Sequence, residues 1–268
     1  MDAGRSVDQD YLLSQQYRDS SNLTARISLH DRFSANKYGW HRWLFDHLQL
    51  PGECRMLELG GGSGTLWTNN LARISPGWKI TLSDFSPGMV EAAREALAPT
   101  GLDFSYQVID AQEIPFPNET FDAVLALHML FHVPDLDKAL REMRRVLKRG
   151  GKFFASTIGQ NHLREMDELV AAFDPELKFT LDTTGFNLTN GAEILRRWFS
   201  EVKLHDYPDK LIITKAEPLL AFIMSTVKIG PELIPEKVAQ LKVFIEQRLA
   251  AGPIEITKES GLFEATAG

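Results

Sequence analysis

A chain of 268 residues with 44% hydrophobic content is long enough to bury the core of one large α/β domain, or of one domain with a cap. Its formal charge of -7 argues against a surface that grips a phosphate backbone, and its single cysteine, Cys54, excludes an intrachain disulfide framework and a cysteine metal cluster. The start, Met1-Asp2-Ala3-Gly4-Arg5-Ser6, lacks the basic opening and apolar core of a signal peptide, and no apolar run reaches membrane-spanning length, so a soluble, cytoplasmic protein is expected.

Residues up to about 20 are polar, with Tyr11, Leu12, Leu13 and Tyr17 as possible anchors. From Ser34, a plausible N-cap, Tyr38, Trp40, Trp43, Leu44, Phe45 and Leu48 recur at helical spacing until Pro51-Gly52 ends the helix. The stretch Arg55-Met56-Leu57-Glu58-Leu59-Gly60-Gly61-Gly62-Ser63-Gly64 then reads as a short buried strand turning through glycines into a helix. The missing Cβ atoms at Gly60 and Gly62 let a ligand lie on the main chain. Dinucleotide, phosphate and S-adenosylmethionine (SAM) sites all use such turns. A dinucleotide fingerprint starting at Gly60 requires glycine where Thr65 stands, and a P-loop requires a Gly-Lys-Ser/Thr step, yet no lysine falls between Arg55 and Lys79. The pattern Glu58-x-Gly60-x-Gly62-x-Gly64 instead resembles the first motif of class I SAM-dependent methyltransferases of the small-molecule type.

That resemblance implies a cofactor cradle formed by Glu58, Gly60, Gly61, Gly62 and Gly64, and further site residues at the ends of later strands. Trp78 to Asp84 reads as a second strand ending in an acid. An acid at this place, about twenty residues beyond a glycine turn, can accept both hydroxyls of a ribose, which is the role the resemblance implies for Asp84; capping of the helix from Pro87 is the alternative. Phe85 and Met89 are implied to flank the adenine. Phe104 to Asp110 alternates as a third strand, and Asp110-Ala111 looks like the family's adenine-recognition pair, a carboxylate for the exocyclic amine and a backbone N–H for a ring nitrogen; a plain loop acid is the alternative.

The apolar run Phe121 to Leu127 is the buried centre of a parallel sheet. Because ligands bind beyond the carboxyl ends of such strands, Leu127, His128 and Met129 are expected near the methionine part of the cofactor. The segment His128-Met129-Leu130-Phe131-His132-Val133-Pro134-Asp135 also resembles the fourth motif of small-molecule methyltransferases. Its histidines, His128 and His132, are the candidates for a general base near neutral pH, with structural hydrogen bonding as the alternative. A metal pair is not expected: no glutamate intervenes, Pro134 ends the segment, and spacing identifies no third ligand.

Asp135 opens an amphipathic helix through Val146, whose Arg141, Arg144 and Arg145, with Lys148 and Arg149 after it, read as a solvated basic face. Gly150-Gly151 stop it before a fifth strand at Lys152 to Thr157. Beyond Gly159 the pattern predicts helices over His162–Phe173 and Asn190–Phe199, a strand over Glu201–Tyr207, an extended piece at Leu211–Thr214, and helices over Pro218–Val227 and Pro235–Leu249. Ile254–Thr257 and Leu262–Thr266 read as a closing pair around Glu259-Ser260-Gly261.

Five strands alternating with helices predict an α/β fold. The resemblance implies the Rossmann-like class I methyltransferase form of it, a mostly parallel seven-stranded sheet of order 3-2-1-4-5-7-6 with helices on both faces and a helical cap. Residues 1–50 would form an N-terminal helical lid and residues 51–268 the SAM-dependent domain, with cap insertions at about 160–200 and 216–252. In a lid, Arg26, His30, Arg32, Lys37, Tyr38 and His41 are placed to meet a substrate, ordinary surface and core roles being the alternative. The implied reaction moves a methyl group from SAM to a small or medium organic acceptor. A non-catalytic SAM-binding protein on the same fold is the alternative.

Overall fold

The chain opens with α1 (Gln9–Tyr11), α2 (Ser21–Phe33) and α3 (Trp40–His47), and then builds a sheet from β1 (Glu53–Leu59), β2 (Gly77–Asp84), β3 (Phe104–Val108), β4 (Phe121–Leu127) and β5 (Leu147–Ile158). Between these strands lie α4 (Thr65–Thr68), α5 (Pro87–Leu97) and α6 (Leu136–Val146). After β5 come α7 (Arg164–Phe173), α8 (Gly191–Arg196), β6 (Ser200–Ile213), α9 (Ala216–Met224), α10 (Pro235–Ala250) and β7 (Ile254–Thr266). This is a computed structural model that describes residues 7–12, 21–177, 179, 183–226 and 233–268. The expectations for Leu13, Tyr17, Asp182 and Val227 lie outside the described residues.

The strand order is β3-β2-β1-β4-β5-β7-β6, the order that the resemblance implies. β1 to β5 pair in parallel, and β7 runs antiparallel to both β5 and β6. Alternation along the central strands separates two cores, since successive side chains of a strand point to opposite faces. Leu57, Leu59, Val124, Ala126, Phe153 and Ala155 pack on the α6 and α8 side. Met56, Ala123, Leu125 and Phe154 pack on the other, beneath Leu44 and Phe45 of α3 and Ala93 and Leu97 of α5. The capping chemistry read from the sequence is present: Ser86 Oγ accepts the Met89 N–H at 3.3 Å with Pro87 beside it, and Asp135 Oδ1 accepts the Lys138 N–H at 2.9 Å.

A third core lies off the sheet. Leu29 and Phe33 of α2, Met166 and Val170 of α7, Leu219 and Phe222 of α9, and Leu241 and Ile245 of α10 close around Leu211, Ile213, Ile254 and Ile256. Its base is a ribbon. β7 pairs with β5 only from Ser260 onward, whereas it pairs with β6 along its whole length, out to Ile213 opposite Ile254. The free half of the β6–β7 ribbon therefore leaves the sheet at the carboxyl end of β5 and carries the cap over the strand ends.

Four expectations are corrected. No turn forms at Glu259-Ser260-Gly261, because β7 is one continuous strand through these residues; Gly261 is small for packing, since a Cβ there would stand 2.9 Å from Leu188 Cδ2 and 3.0 Å from the His205 carbonyl. The extended piece after Leu211 is the end of β6 itself. Ser34 caps no helix: it bridges to Leu211, its hydroxyl is given to Asp209, and α3 starts only after Gly39, which leaves Tyr38 49% exposed. Finally, Phe186, Leu195 and Phe199 pack into the sheet's own core and not into the cap.

A Gly261→Val change should overpack the ribbon and cost about 1–3 kcal/mol. Calorimetry should find the melting temperature lowered by several degrees, and an unchanged value would show that the contact with Leu188 relaxes freely.

Candidate functional site

The strand ends hold a loop that only glycine suits. Gly60, Gly62 and Gly64 have φ of 66°, 55° and 74°, a region that costs other residues strain. A Cβ on Gly60 would lie 2.7 Å from Met129 Cβ. The loop is tied to the neighbouring strand by Gly61 N–H to Ser83 O at 2.9 Å and by Gly62 N–H to Asp84 Oδ2 at 3.0 Å. Glu58 stands behind it, 2% exposed, with Oε2 accepting Trp67 Nε1–H at 2.6 Å. Burial, against that hydrogen bond, raises its carboxyl to about 7.

Two cavities meet at this loop. The smaller, about 180 Å³, is lined by Asp84, Phe85 and Met89 from the end of β2 and the start of α5, and by Asp110 and Ala111 after β3. Asp84 Oδ1 accepts the Ser86 N–H at 2.9 Å, and burial raises its pKa against these backbone bonds. Asp110 Oδ1 accepts the Gln112 N–H at 2.9 Å, and Gln9 Nε2 reaches Asp110 Oδ2 at 3.4 Å, so the N-terminal segment lies across this cavity. The larger cavity, about 330 Å³, extends between the loop and the cap. Leu23, Gly60, Gly62, Leu127, His128 and His132 line both and form the seam.

The strand-end residues expected from the sequence are thus brought together around the smaller cavity. Glu58 and Gly61 line the larger one instead. Gly64 lines neither and is packed under α5, where a Cβ would touch Leu97 Cδ1 at 3.0 Å. Of the lid candidates, Arg26, His30 and His41 line the larger cavity; Arg32, Lys37 and Tyr38 do not. The sequence reading missed His162, which precedes α7, and Lys258 of β7. A signal for Lys258 existed: Ile254, Ile256, Lys258, Ser260 and Leu262 alternate on the buried face of one strand, and a lysine in such a row calls for a partner or a ligand.

The histidines are held neutral. His128 has φ 53°, donates its backbone N–H to Ser156 O at 3.0 Å, and lies against Trp40 at 5.1 Å between ring centroids. Burial, then the charges of His41 and Lys258, lower it to about 3. His162 falls to about 3 and His41 to about 4 for the same leading reason, and His30 lies well below its ordinary value. This corrects the expectation that His128 titrates near neutrality. Among the described residues, no group of three His, Cys, Asp or Glu side chains is placed to hold a metal ion.

Residues 57–155 match the model of a methyltransferase domain family. That match, over the sheet from β1 to β5, supports a methyltransferase of the class I SAM-dependent kind. The chain is similar to the ubiquinone/menaquinone biosynthesis C-methyltransferase UbiE of Vibrio parahaemolyticus, 31% identical over 64% of this chain and 65% of that protein. The Pasteurella multocida UbiE is 28% identical over 64% of each chain. The chain thus spans just under two thirds of the length of these relatives. Among solved structures, the methyltransferase fold is shared with the Bacillus YcgJ protein, at a TM-score of 0.56 and 20% identity over 84% of this chain and 97% of that one. It is also shared with phosphoethanolamine N-methyltransferase 2 of Haemonchus contortus, at a TM-score of 0.58 and 21% identity over 96% of this chain and 59% of that one.

The lowered histidines fix a pH dependence. A histidine whose folded pKa is near 3 and unfolded value near 6.5 lowers stability progressively as pH falls between those values. Glu58, raised to about 7, works oppositely above its ordinary 4.5, but it is outnumbered. Acidification from pH 7 to 5 should cost about 2 kcal/mol for each such histidine, before local relaxation. Denaturant unfolding across this range should show that loss, and stability independent of pH would refute the buried neutral assignment.

Proposed function

We propose that this chain transfers a methyl group from SAM to a small or medium organic acceptor, releasing S-adenosylhomocysteine. The observation that carries the reading is the pair of adjoining cavities, which share a seam at Gly60, Gly62, Leu127, His128 and His132. A purely cofactor-binding scaffold has no need of the second cavity. The relatives' printed names, C-methyltransferases for quinone biosynthesis, support carbon as the acceptor atom, and the acceptor cavity's mostly apolar wall, with Leu127, Phe131, Phe179 and Phe222, supports a body with little polar surface. No described helix is long and apolar enough to cross a membrane.

The smaller cavity fits the cofactor: its strand-end carboxylates have lone pairs left over after their backbone bonds, and the loop beside it excludes a Cβ at Gly60. In this reading Asp84 takes the ribose hydroxyls, Asp110 the exocyclic amine, the Ala111 N–H a ring nitrogen, and Phe85 and Met89 the faces of the adenine. When bound, the sulfonium supplies an electrophilic methyl carbon with a good leaving group. The protein's part is then alignment and exclusion of water. Leu127 and the glycine loop set the floor of the seam, while α2, α3 and the cap elements cover it. His128 and His132 stand where an acceptor proton would leave. Neutral His128 can take a proton there, but its low basicity restricts it to an acceptor that is itself acidic.

S-adenosylhomocysteine should stabilise the protein by about 2.7 kcal/mol at one hundred times its Kd, and NAD should not. Thermal shift with both ligands tests this; stabilisation by NAD alone would sink the reading. Asp84→Ala removes hydrogen bonds to a charged group, so cofactor affinity measured by calorimetry should fall at least about ten-fold. His128→Ala and His132→Ala should keep cofactor affinity and slow turnover of labelled SAM, and full activity in both variants would remove them as bases.

A further inference from the structure

Part of the larger cavity's wall, not shared with the smaller one, carries side chains able to hydrogen-bond a ligand. Lys258 is buried on β7 and gives two of its three N–H bonds to Asp209 Oδ2 at 2.7 Å and Ser34 Oγ at 3.3 Å. Asp209 is fully engaged, since it also receives the Ser34 hydroxyl and the backbone N–H groups of Asn36 and Lys210, each at 2.9 Å. The ammonium also lies over the Tyr207 ring, 5.2 Å from its centroid, so the third Lys258 N–H is divided between that ring and the cavity that Lys258 lines. Beside it, His162 Nδ1 accepts the Glu259 N–H at 3.1 Å, so the neutral ring carries its proton on Nε2. His30 stands 6.3 Å from His162 between ring centroids, and its buried Nδ1 has no hydrogen-bond partner. Lys258, His30 and His162 line the larger cavity and not the smaller one.

The four imidazoles, His30, His41, His128 and His162, are lowered first by burial and then by neighbouring charge. They come from α2, α3 and the segments after β4 and β5, and each is pushed down in part by the one ammonium of Lys258. Other charges share the cavity. Arg26 is tied to Ser225 by bonds of 3.2 and 2.5 Å; Asp31 lies exposed at the rim and acts on Lys258 through space; Glu58 is tied to Trp67 behind the glycine loop. Formal charge is therefore near balance, and what is unbalanced is hydrogen bonding, since Lys258 has donors only and the acceptor nitrogen of His162 is already taken by the Glu259 N–H.

Resting on the methyltransferase reading, we propose that the acceptor binds through an anionic oxygen, an enolate, phenolate or carboxylate on an apolar body, held by Lys258 and His162, with His30 beside them, in the part of the site that belongs to the larger cavity alone. Hydrogen bonds to the charged form favour that form, and a ligand cation would face the Lys258 ammonium in the same buried surroundings that keep the imidazoles unprotonated. For an enolate or phenolate, the oxygen is anchored while a conjugated carbon faces His128 and the seam.

The test is titration calorimetry on the full chain saturated with S-adenosylhomocysteine, at neutral pH. The probes are 2-hydroxy-1,4-naphthoquinone, 2-naphthoate, the methyl ether of the first, and 2-naphthylmethylammonium. The two anions should bind at least about ten-fold more tightly than the ether, and the tighter of them names enolate or carboxylate. The preference should vanish in Lys258→Met/Asp209→Asn, which avoids stranding a buried carboxylate, and shrink in His30→Phe. Equal or tighter binding of the ether or the ammonium ion, an anion preference that survives the double variant, or no binding of any probe would each overturn the proposal. The wild-type comparison decides even where a variant does not fold. Stabilisation by S-adenosylhomocysteine together with any of those results leaves the methyltransferase reading standing, and loss of that stabilisation overturns both.

Discussion

The carboxylate of Asp209 ties together three parts of the chain that are far apart in sequence. It receives Lys258 from β7, the hydroxyl of Ser34 and the N–H of Asn36 from the segment before α3, and the N–H of its neighbour Lys210 on β6. A buried ion pair of this kind is a poor source of net stability, because taking both charges out of water offsets most of their attraction. Its effect is on geometry. It fixes where the N-terminal segment meets the ribbon, and with Leu29 and Phe33 in the same apolar cluster as α7, α9 and α10, it joins residues from both ends of the chain into one cap.

The ribbon explains why that cap lies over the strand ends. β5 stops at Ile158, opposite Ser260, and β6 and β7 run on without it to Ile213 and Ile254. Lys258 and Ser260 therefore sit where the sheet becomes cap, above the carboxyl ends of the parallel strands, the usual place for ligands in open α/β sheets. The glycine loop closes the other side. Gly61 and Gly62 are held by bonds to Ser83 and Asp84 on the next strand, so the loop and the acid at the end of β2 are positioned by each other.

Much of this was legible in the sequence because local chemistry and fold agree there. The run Met56 to Leu59, the Gly60 to Gly64 spacing, Ser86-Pro87 and Asp135 each specify a strand, turn or cap through neighbours a few residues away, and each is found where expected. The cap was less legible because its signals are long-range. Ser34 has the chemistry of an N-cap, yet its hydroxyl goes to Asp209, 175 residues away. Gly261 has the look of a turn, yet Leu188 and the His205 carbonyl leave no space there for a Cβ. The three-to-four spacing of Leu23, Arg26, Ile27 and His30 was a usable sign, since these residues form one stripe of α2 and all line the larger cavity.

The lining peculiar to the larger cavity and the lining at the seam differ in a way that bears on reactivity. Joining an anionic acceptor to a cationic methyl donor removes two charges, and a medium of low polarity favours such a step because it solvates the separated charges poorly. Donors placed at the reacting atom would hold its charge and slow the attack. Here Lys258, His30 and His162 are confined to the larger cavity, while the seam has Leu127, glycine backbone and two imidazoles, of which His128 is neutral. An acceptor held by an oxygen inside the larger cavity and exposed at the seam would keep its binding energy in one place and its nucleophilicity in another, which is the division that a conjugated enolate or phenolate can exploit and a simple amine cannot.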